Sequence, residues 1–359
     1  MRFPWLFLCF FLVGCTGASV AHMQVGMDAG SGDVDTDADA DGDMDSDSDT
    51  DTDTDTNTDT DSQFDGGPVT WRFVAVGDSR GTWSAGGHNA EILGEIAAAA
   101  VADEAELIIF MGDLVYGSLD PLELAVELFN WRQTMEIAYD GGVAVYPVRG
   151  NHEDNSLAAW HAVFAGAYGL PLNGPAGEVN LTFAVQHNNA LLLGLDVYVN
   201  PHRVNQDWVD EQLAASDAVH VFAFSHEPAY RAHHADCIDD YPAERDAFWQ
   251  SLQQAGSRVY FAGHDHLYAH ARISDGDFDL DDDVHQVIVG TAGAPSATWD
   301  GSYLGDNGDA SVMPVNYDTP YGYVLVQIVG HYAELTWKKR ADEGGYAAQE
   351  TWSYTAGGD

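Results

Sequence analysis

Five stretches decide the fold: WRFVAV (residues 71–76) running into Gly77-Asp78, ELIIFM (106–111) into Gly112-Asp113-Leu114-Val115-Tyr116, VAVYPV (143–148) ahead of Gly150-Asn151-His152-Glu153, VHVFAF (219–224) into Ser225-His226, and RVYFA (258–262) into Gly263-His264-Asp265-His266. Short apolar runs of this kind read as buried strands, and glycine at the breaks lets the backbone turn sharply. In open α/β sheets ligands bind just beyond the carboxyl ends of the strands. Five strands that all end in Asp, Asn or His therefore describe one site.

Working outward, 88–104 reads as a helix between the first two strands, a βαβ unit. Residues 121–139 read as an amphipathic helix with Pro121 in its first turn. Residues 156–168 read as helical and 179–185 and 190–195 as neighbouring strands. Helices over 205–215 and 243–255 precede the fourth and fifth strands. The pattern then turns mostly to strand, over 268–273, 284–289, 321–329, 331–338 and 350–355. Two sheets packed face to face with helices outside, in one α/β domain, are the expected architecture.

The 359 residues carry 58 acidic and 13 basic side chains, a formal net charge of −45. Residues 28–65 hold 16 Asp and no Glu, Lys or Arg. Such a stretch buries no apolar area and repels itself, so it is expected to be disordered and extended. As a neutral flexible chain it would span roughly 35 Å, and like charge lengthens it. Asp37, Asp39, Asp41, Gly42, Asp43 and Asp45 mimic the start of an EF-hand loop, but Ser48 stands where a bidentate Glu is needed. Setting aside these 16 aspartates and Arg2, 42 acids still face 12 bases. By charge, nucleic acid and anionic membrane surfaces are poor partners.

Arg2 followed by an apolar run over 3–13, too short to span a bilayer, reads as a secretory signal. Leu12-Val13-Gly14-Cys15 resembles the lipobox of bacterial lipoproteins, whose Cys is acylated; an ordinary signal peptide with an incidental Cys is the alternative. The organisation expected is a signal peptide over 1–15, an acidic linker over 16–65 and a catalytic domain over 66–359. The protein is then exported and lipid-anchored at the cell envelope. Thr16 lacks the Asp of an inner-membrane retention signal, which favours the outer membrane. Only Cys237 lies in the folded part, so no intradomain disulfide forms.

Asp78, Asp113, Asn151, His226, His264 and His266 offer oxygen and imidazole ligands, a mixture that suits Zn, Mn, Fe or Co rather than a thiolate site. His264 and His266 flank one residue, so near a strand end both reach one metal pair. A carboxylate such as Asp113 can bridge two metals.

The ordered set GD, GDxxY, GNHE, strand-end His and GHxH resembles the calcineurin-like metallophosphoesterases over roughly 69–295, and Tyr116 resembles the tyrosine of their purple acid phosphatase branch. The resemblance implies a four-layer αββα sandwich with two metal ions. It implies one metal on Asp78, Asp113, Tyr116 and His266 and the other on Asp113, Asn151, His226 and His264. In the purple branch the tyrosinate binds Fe(III) beside a divalent Zn, Mn or Fe; with Tyr116 merely packed, two divalent ions such as Mn or Zn fill the site. Arg80 departs from the Gly or His that relatives carry there, and it could hold phosphate oxygens bidentately. Arg149 resembles the phosphate-contacting Arg of the protein Ser/Thr phosphatases, and for both arginines a structural salt bridge is the alternative. His152 is expected as general acid or phosphate contact. His233 and His234 resemble a histidine pair of the purple branch, one of which protonates the leaving group. Glu153 and Asp265 support ligands, and Trp299, Tyr303, Tyr317 and Tyr321 either line a cleft or pack half-buried.

The implied reaction is in-line displacement at phosphorus by a metal-activated hydroxide. A small phosphomonoester is the expected substrate. A phosphodiesterase on the same ligands, or a catalytically silent metal-containing binding protein on a stalk, are the alternatives.

Overall fold

The computed structural model describes residues 68–82, 86–277 and 279–357. They fall in the unit that runs from Phe64 to Asp359. The signal, the lipobox and the acidic linker up to residue 65 lie outside the described residues. Among the described residues no helix is long and apolar enough to cross a membrane.

The first three site runs form β1 (Thr70–Val76), β2 (Leu107–Met111) and β3 (Ala144–Val148), connected by α1 (Ala90–Ala102) and α2 (Pro121–Asp140). The three strands are parallel neighbours. Their sheet is completed by β11 (Gly322–Val329), β12 (Tyr332–Arg340) and β13 (Tyr346–Thr355), in the order β13-β12-β11-β1-β2-β3.

A second sheet holds the other two runs as β6 (His220–Phe224) and β7 (Val259–Ala262). They sit among β4 (Phe183–His187), β5 (Ala190–Gly194), β8 (Tyr268–Ser274), β9 (Val284–Val289) and β10 (Ser311–Asp318), in the order β10-β8-β9-β7-β6-β5-β4. Strands β5, β6, β7 and β9 run parallel.

Alternation along a strand explains why these runs are apolar throughout. In β6, Phe222 and Phe224 join the core shared with the first sheet, while Val221 and Ala223 join the cluster containing Trp208, Val209, Phe248 and Leu252. Those last four belong to α4 (Gln206–Ala215) and α5 (Pro242–Gln254). A strand buried on both faces needs no polar side, so it reads as an unbroken apolar run. Phe73 meets Phe222 at 5.0 Å across the sheets, and Tyr268 stacks on Trp337 at 4.4 Å. Outside the first sheet, Trp131 of α2 meets Phe110 of β2 at 5.1 Å. The layers are therefore helix, sheet, sheet, helix, the αββα sandwich expected.

Caps fix the helix starts. The Asn89 side chain accepts from Ile92 N at 3.3 Å, so α1 begins at Ala90 rather than at His88, which bridges to Arg80. Asp120 accepts from Leu122 N at 2.8 Å ahead of Pro121. A side-chain oxygen satisfies an amide that has no partner within the helix. The expected helix over 156–168 is shorter: α3 (Leu157–Val163) stops where Phe164 leaves helical geometry, and a 3₁₀ turn follows at Gly166–Tyr168. Residues 179–182 turn around Glu178 instead of extending β4, since Leu181 N and Thr182 N both donate to the Glu178 carbonyl. β10 carries no apolar signal because it is a largely exposed edge strand, with an irregularity between Pro314 and Asn316. Proline is tolerated at such an edge because its missing N–H would face outward.

Candidate metal centre

All five strand ends converge. The loops after β1 and β2 are tied by Asp78 N to the Gly112 carbonyl at 3.0 Å and Arg80 N to the Asp113 carbonyl at 3.0 Å. The sheets are joined at this end by Gly77 N to the Val289 carbonyl at 2.8 Å. Asp78, Asp113 and His264 adopt left-handed backbone, with φ of 62°, 49° and 67°. That conformation is uncommon for non-glycine residues and clusters at functional sites, where surrounding contacts hold it. Close approach demands glycine at two positions. A Cβ on Gly150 would lie 2.2 Å from Asp113 Oδ1, and one on Gly263 would lie 2.4 Å from Asp78 Oδ2.

The ligand atoms face one another. One atom each from Asp78, Asp113 and His226 lie within 4.8 Å of each other. His226 Nδ1 is 2.7 Å from the Met111 carbonyl oxygen, so it carries the ring proton and leaves Nε2 bare. That bare nitrogen stands 3.1 Å from Asn151 Oδ1, 3.4 Å from Asp113 Oδ1 and 3.1 Å from His264 Nδ1. On the other side His266 Nδ1 meets the Pro295 carbonyl at 2.9 Å, which leaves its Nε2 bare at 3.6 Å from Asp78 Oδ1. Electron-pair donors thus gather with few protons among them, the arrangement a cation completes.

Electrostatics agree. Burial, with Asp113 alongside, raises the Asp78 carboxyl well above the usual range. Burial also pushes Asp113 upward, but His226, His152, His264 and Arg80 outweigh it and hold it low. Two carboxylates at one buried site do not both ionise without positive charge beside them. Burial lowers His226 to about 3, and burial with Arg80 lowers His266 to about 4, so both imidazoles are neutral and fit to ligate. Every residue expected as a ligand except Tyr116 is therefore in this group. Tyr116 lies on the rim, 42% exposed. Its carbonyl oxygen meets His152 Nδ1, its ring is 6.3 Å from that of His152, and among the described residues its hydroxyl makes no hydrogen bond.

Around the ligands, Arg80 Nε lies 3.4 Å from Asp113 Oδ2 and 3.3 Å from His266 Nε2. His152 Nε2 is 3.7 Å from Asp113 Oδ2. Asp265 accepts from His233 N at 3.0 Å and from His234 N at 2.9 Å, and its Oδ1 is 2.7 Å from His234 Nδ1. This carboxylate pins the loop so that the His234 ring is 4.5 Å from the His264 ring. His233 is exposed and packs on His234 at 5.0 Å. Buried Glu153 accepts from Gly150 N at 2.8 Å and Val115 N at 3.1 Å, joining two site loops; burial and the charge of Asp113 push it up to about 8.

Two expectations resolve toward their structural alternatives. Arg149, 1% exposed, gives Nε and Nη2 to Asp196 at 2.7 and 2.9 Å and Nη1 to Asp154 at 3.1 Å, so its fork is filled by carboxylates. Trp299 packs on Tyr303 at 5.1 Å and on Tyr317 at 5.4 Å, and Tyr321 packs half-buried against the main core. One neighbour escaped sequence reasoning: Asp236 Oδ1 lies 3.6 Å from His264 Nε2. Ten residues beyond His226, in a chain with 58 acids, it carries no local signal.

The family profile described as Calcineurin-like phosphoesterase matches residues 72–268. No curated protein matches the sequence. Among solved structures, the chain is similar to purple acid phosphatase PPD1 from yellow lupin (Lupinus luteus) seeds, with TM-score 0.59 and 13% identity over 80% of this chain. It spans only 54% of that enzyme's length. It is also similar to PhoD, with TM-score 0.60 and 12% identity over 80% of this chain and 70% of the other. A dimetal phosphatase from Danio rerio gives TM-score 0.51 and 14% identity over 80% of this chain and 99% of its own. At these identities the likeness establishes the fold.

Proposed function

The chain belongs to the calcineurin-like phosphoesterase family, and from that premise we propose that it hydrolyses phosphomonoesters at a centre of two metal ions held by the converging strand ends. The observation that carries this reading is the bare His226 Nε2 facing Asn151 Oδ1, Asp113 Oδ1 and His264 Nδ1 at 3.1 to 3.4 Å. One ion would be held by Asp78, Asp113 and His266, with Tyr116 added if the centre is of the purple type, and the other by Asp113, Asn151, His226 and His264. When bound, such ions acidify a water and offset the charge that develops on attacking and leaving oxygens. Iron with a divalent metal, or two divalent ions such as Mn or Zn, suit this donor set.

The chain's own side chains do the rest. Arg80 fixes its Nε beside Asp113 and His266, and among the described residues neither terminal nitrogen is hydrogen-bonded. Those nitrogens are placed to grip two phosphate oxygens. His152 donates its Nδ1 proton to the Tyr116 carbonyl and keeps Nε2 toward the Asp113 side, where the imidazolium form would donate its Nε2 proton to phosphate. His234 donates its Nδ1 proton to Asp265, and its imidazolium form would supply the Nε2 proton to the departing oxygen. Arg149 is assigned to bracing the Asn151 loop through Asp196. Export and a lipid anchor at Cys15 complete the proposal and rest on residues 1–15 alone. Thr16→Asp should shift membrane fractionation, and unchanged sorting counts against the outer membrane.

The test is hydrolysis of p-nitrophenyl phosphate and bis-p-nitrophenyl phosphate by the full-length protein, wild type beside Asp113→Asn. A faster monoester reaction that collapses in the variant supports the proposal. Preference for the diester moves the substrate class, and a metal-loaded protein inert on both makes it a binding protein.

A further inference from the structure

His264 presents an unfinished contact. Its Nδ1 faces the His226, Asn151 and Asp113 group, so a metal held there leaves the single ring proton on Nε2. Yet Nε2 is buried with no hydrogen-bond partner. An unmatched buried N–H is unfavourable, so a ligand histidine ordinarily donates its second ring N–H to a carboxylate, carbonyl or water. The nearest carboxylate is Asp236, whose Oδ1 stands 3.6 Å away.

The surroundings make Asp236 able to close this gap. Its side chain is 61% exposed, so no core packing holds it back. Both sides of its segment are anchored. Asp265 fixes His233 and His234 just before it, and Ile238 N donates to the Pro228 carbonyl at 3.2 Å just after it. Asp265 lies between His264 and His266, so the same ligand strand end positions the loop that returns Asp236 to His264. A move of roughly 0.5 Å would bring the pair to hydrogen-bond length.

We propose that Asp236 is a positioning residue for the second metal, accepting the Nε2 proton of His264 to form a carboxylate–histidine–metal relay. The inference rests on the two-metal reading and adds a residue the ligand motifs do not contain. Asp236 fixes the His264 tautomer with Nδ1 bare, orients the ring and raises its basicity as a ligand. It touches neither substrate nor the reacting atoms.

The experiment is a zinc titration of the metal-stripped full-length protein against a competing chromophoric chelator, with no ester present. Wild type, Asp236→Ala, Asp236→Glu and Asp236→Asn are compared, with Asp240→Ala as the control for removing one negative charge from the same loop. The expected result is two ions in the wild type and, in Asp236→Ala, one site weakened by about 10- to 100-fold with the other unchanged. Asp236→Glu should recover part of the loss and Asp236→Asn less, while Asp240→Ala stays within about twofold of wild type. Circular dichroism and melting of the metal-free proteins separate misfolding from lost affinity. Two wild-type ions with unaltered affinities in a folded Asp236→Ala overturn this inference alone. An equal loss in Asp240→Ala overturns it in favour of a general charge effect. Fewer than two wild-type ions overturn the two-metal reading and this inference with it.

Discussion

Two clusters of histidine and carboxylate each draw residues from both sheets, and they differ in whether their lone pairs meet protons. At one, Glu350 Oε1 is 2.7 Å from His270 Nδ1, His270 Nε2 is 2.7 Å from His285 Nδ1, and Trp352 stacks on both rings at 4.7 and 4.5 Å. One proton per neutral ring completes that chain, and burial, lowering His285 to about 3, keeps the ring neutral. Tyr268 and Asn316 add donors to Glu350 at 3.0 and 2.8 Å. At the strand ends, by contrast, His226, His264, His266, Asp78, Asp113 and Asn151 bring more acceptors than protons. The same residue types make a closed hydrogen-bond network in one place and an open set of facing ligand atoms in the other. Counting donors against acceptors separates the two where composition does not.

The largest effect is expected from Asp113→Asn, which removes the carboxylate shared by both ligand groups. Steady-state kinetics should show a loss of about 10³-fold or more, with reduced metal content. Retained activity would show that Asp113 is no bridge. Next, Arg149→Met leaves Asp196 buried without its bidentate partner and should lower stability by about 3–5 kcal/mol in denaturant unfolding. If Arg149 gripped phosphate instead, KM would rise and stability would hold.

A smaller pair of effects tests the two clusters against each other. His270→Ala strands Glu350 and the His285 proton, so it should cost about 1–3 kcal/mol while metal content stays at wild type. His226→Ala should abolish the second metal and cost the metal-free protein less than His270→Ala, because relief of a crowd of acceptors offsets part of the cavity and of the stranded Met111 carbonyl. The reverse pattern would dissolve the distinction between the clusters. The smallest effect concerns pH. Glu153 titrates at about 8 in the fold, above its unfolded value. The native state therefore holds the extra proton between roughly pH 4.5 and 8, and metal-free stability falls as pH rises through that window. Glu153→Gln should flatten that part of the melting profile, and an unchanged slope would assign it elsewhere.

Where sequence and structure part company, the reasons are local. The five strand ends were legible because strands buried on both faces read as apolar runs, and each run stops at the residue that carries the chemistry. Helix starts were legible to within a residue or two wherever Asn89, Asp120 or Asn205 could cap. β10 was not, since an exposed edge strand holding Pro314 has neither apolar alternation nor a full ladder. Arg149 was ambiguous because one guanidinium serves phosphate and carboxylate alike, and only the position of Asp196 decides. Asp236 was invisible because its meaning comes from a contact with a residue 28 positions away.

The surplus of acceptors at the strand ends is proposed to hold two metal ions that support ester hydrolysis. The most direct test is to strip the full-length wild type with chelator and return Zn²⁺ or Mn²⁺ stepwise, measuring bound metal and p-nitrophenyl phosphate hydrolysis on the same samples. The expected result is no hydrolysis in the stripped protein, two ions bound at saturation and activity that rises with the second equivalent. Hydrolysis that survives complete removal of metal, or a saturated protein holding a single ion at full activity, would contradict it.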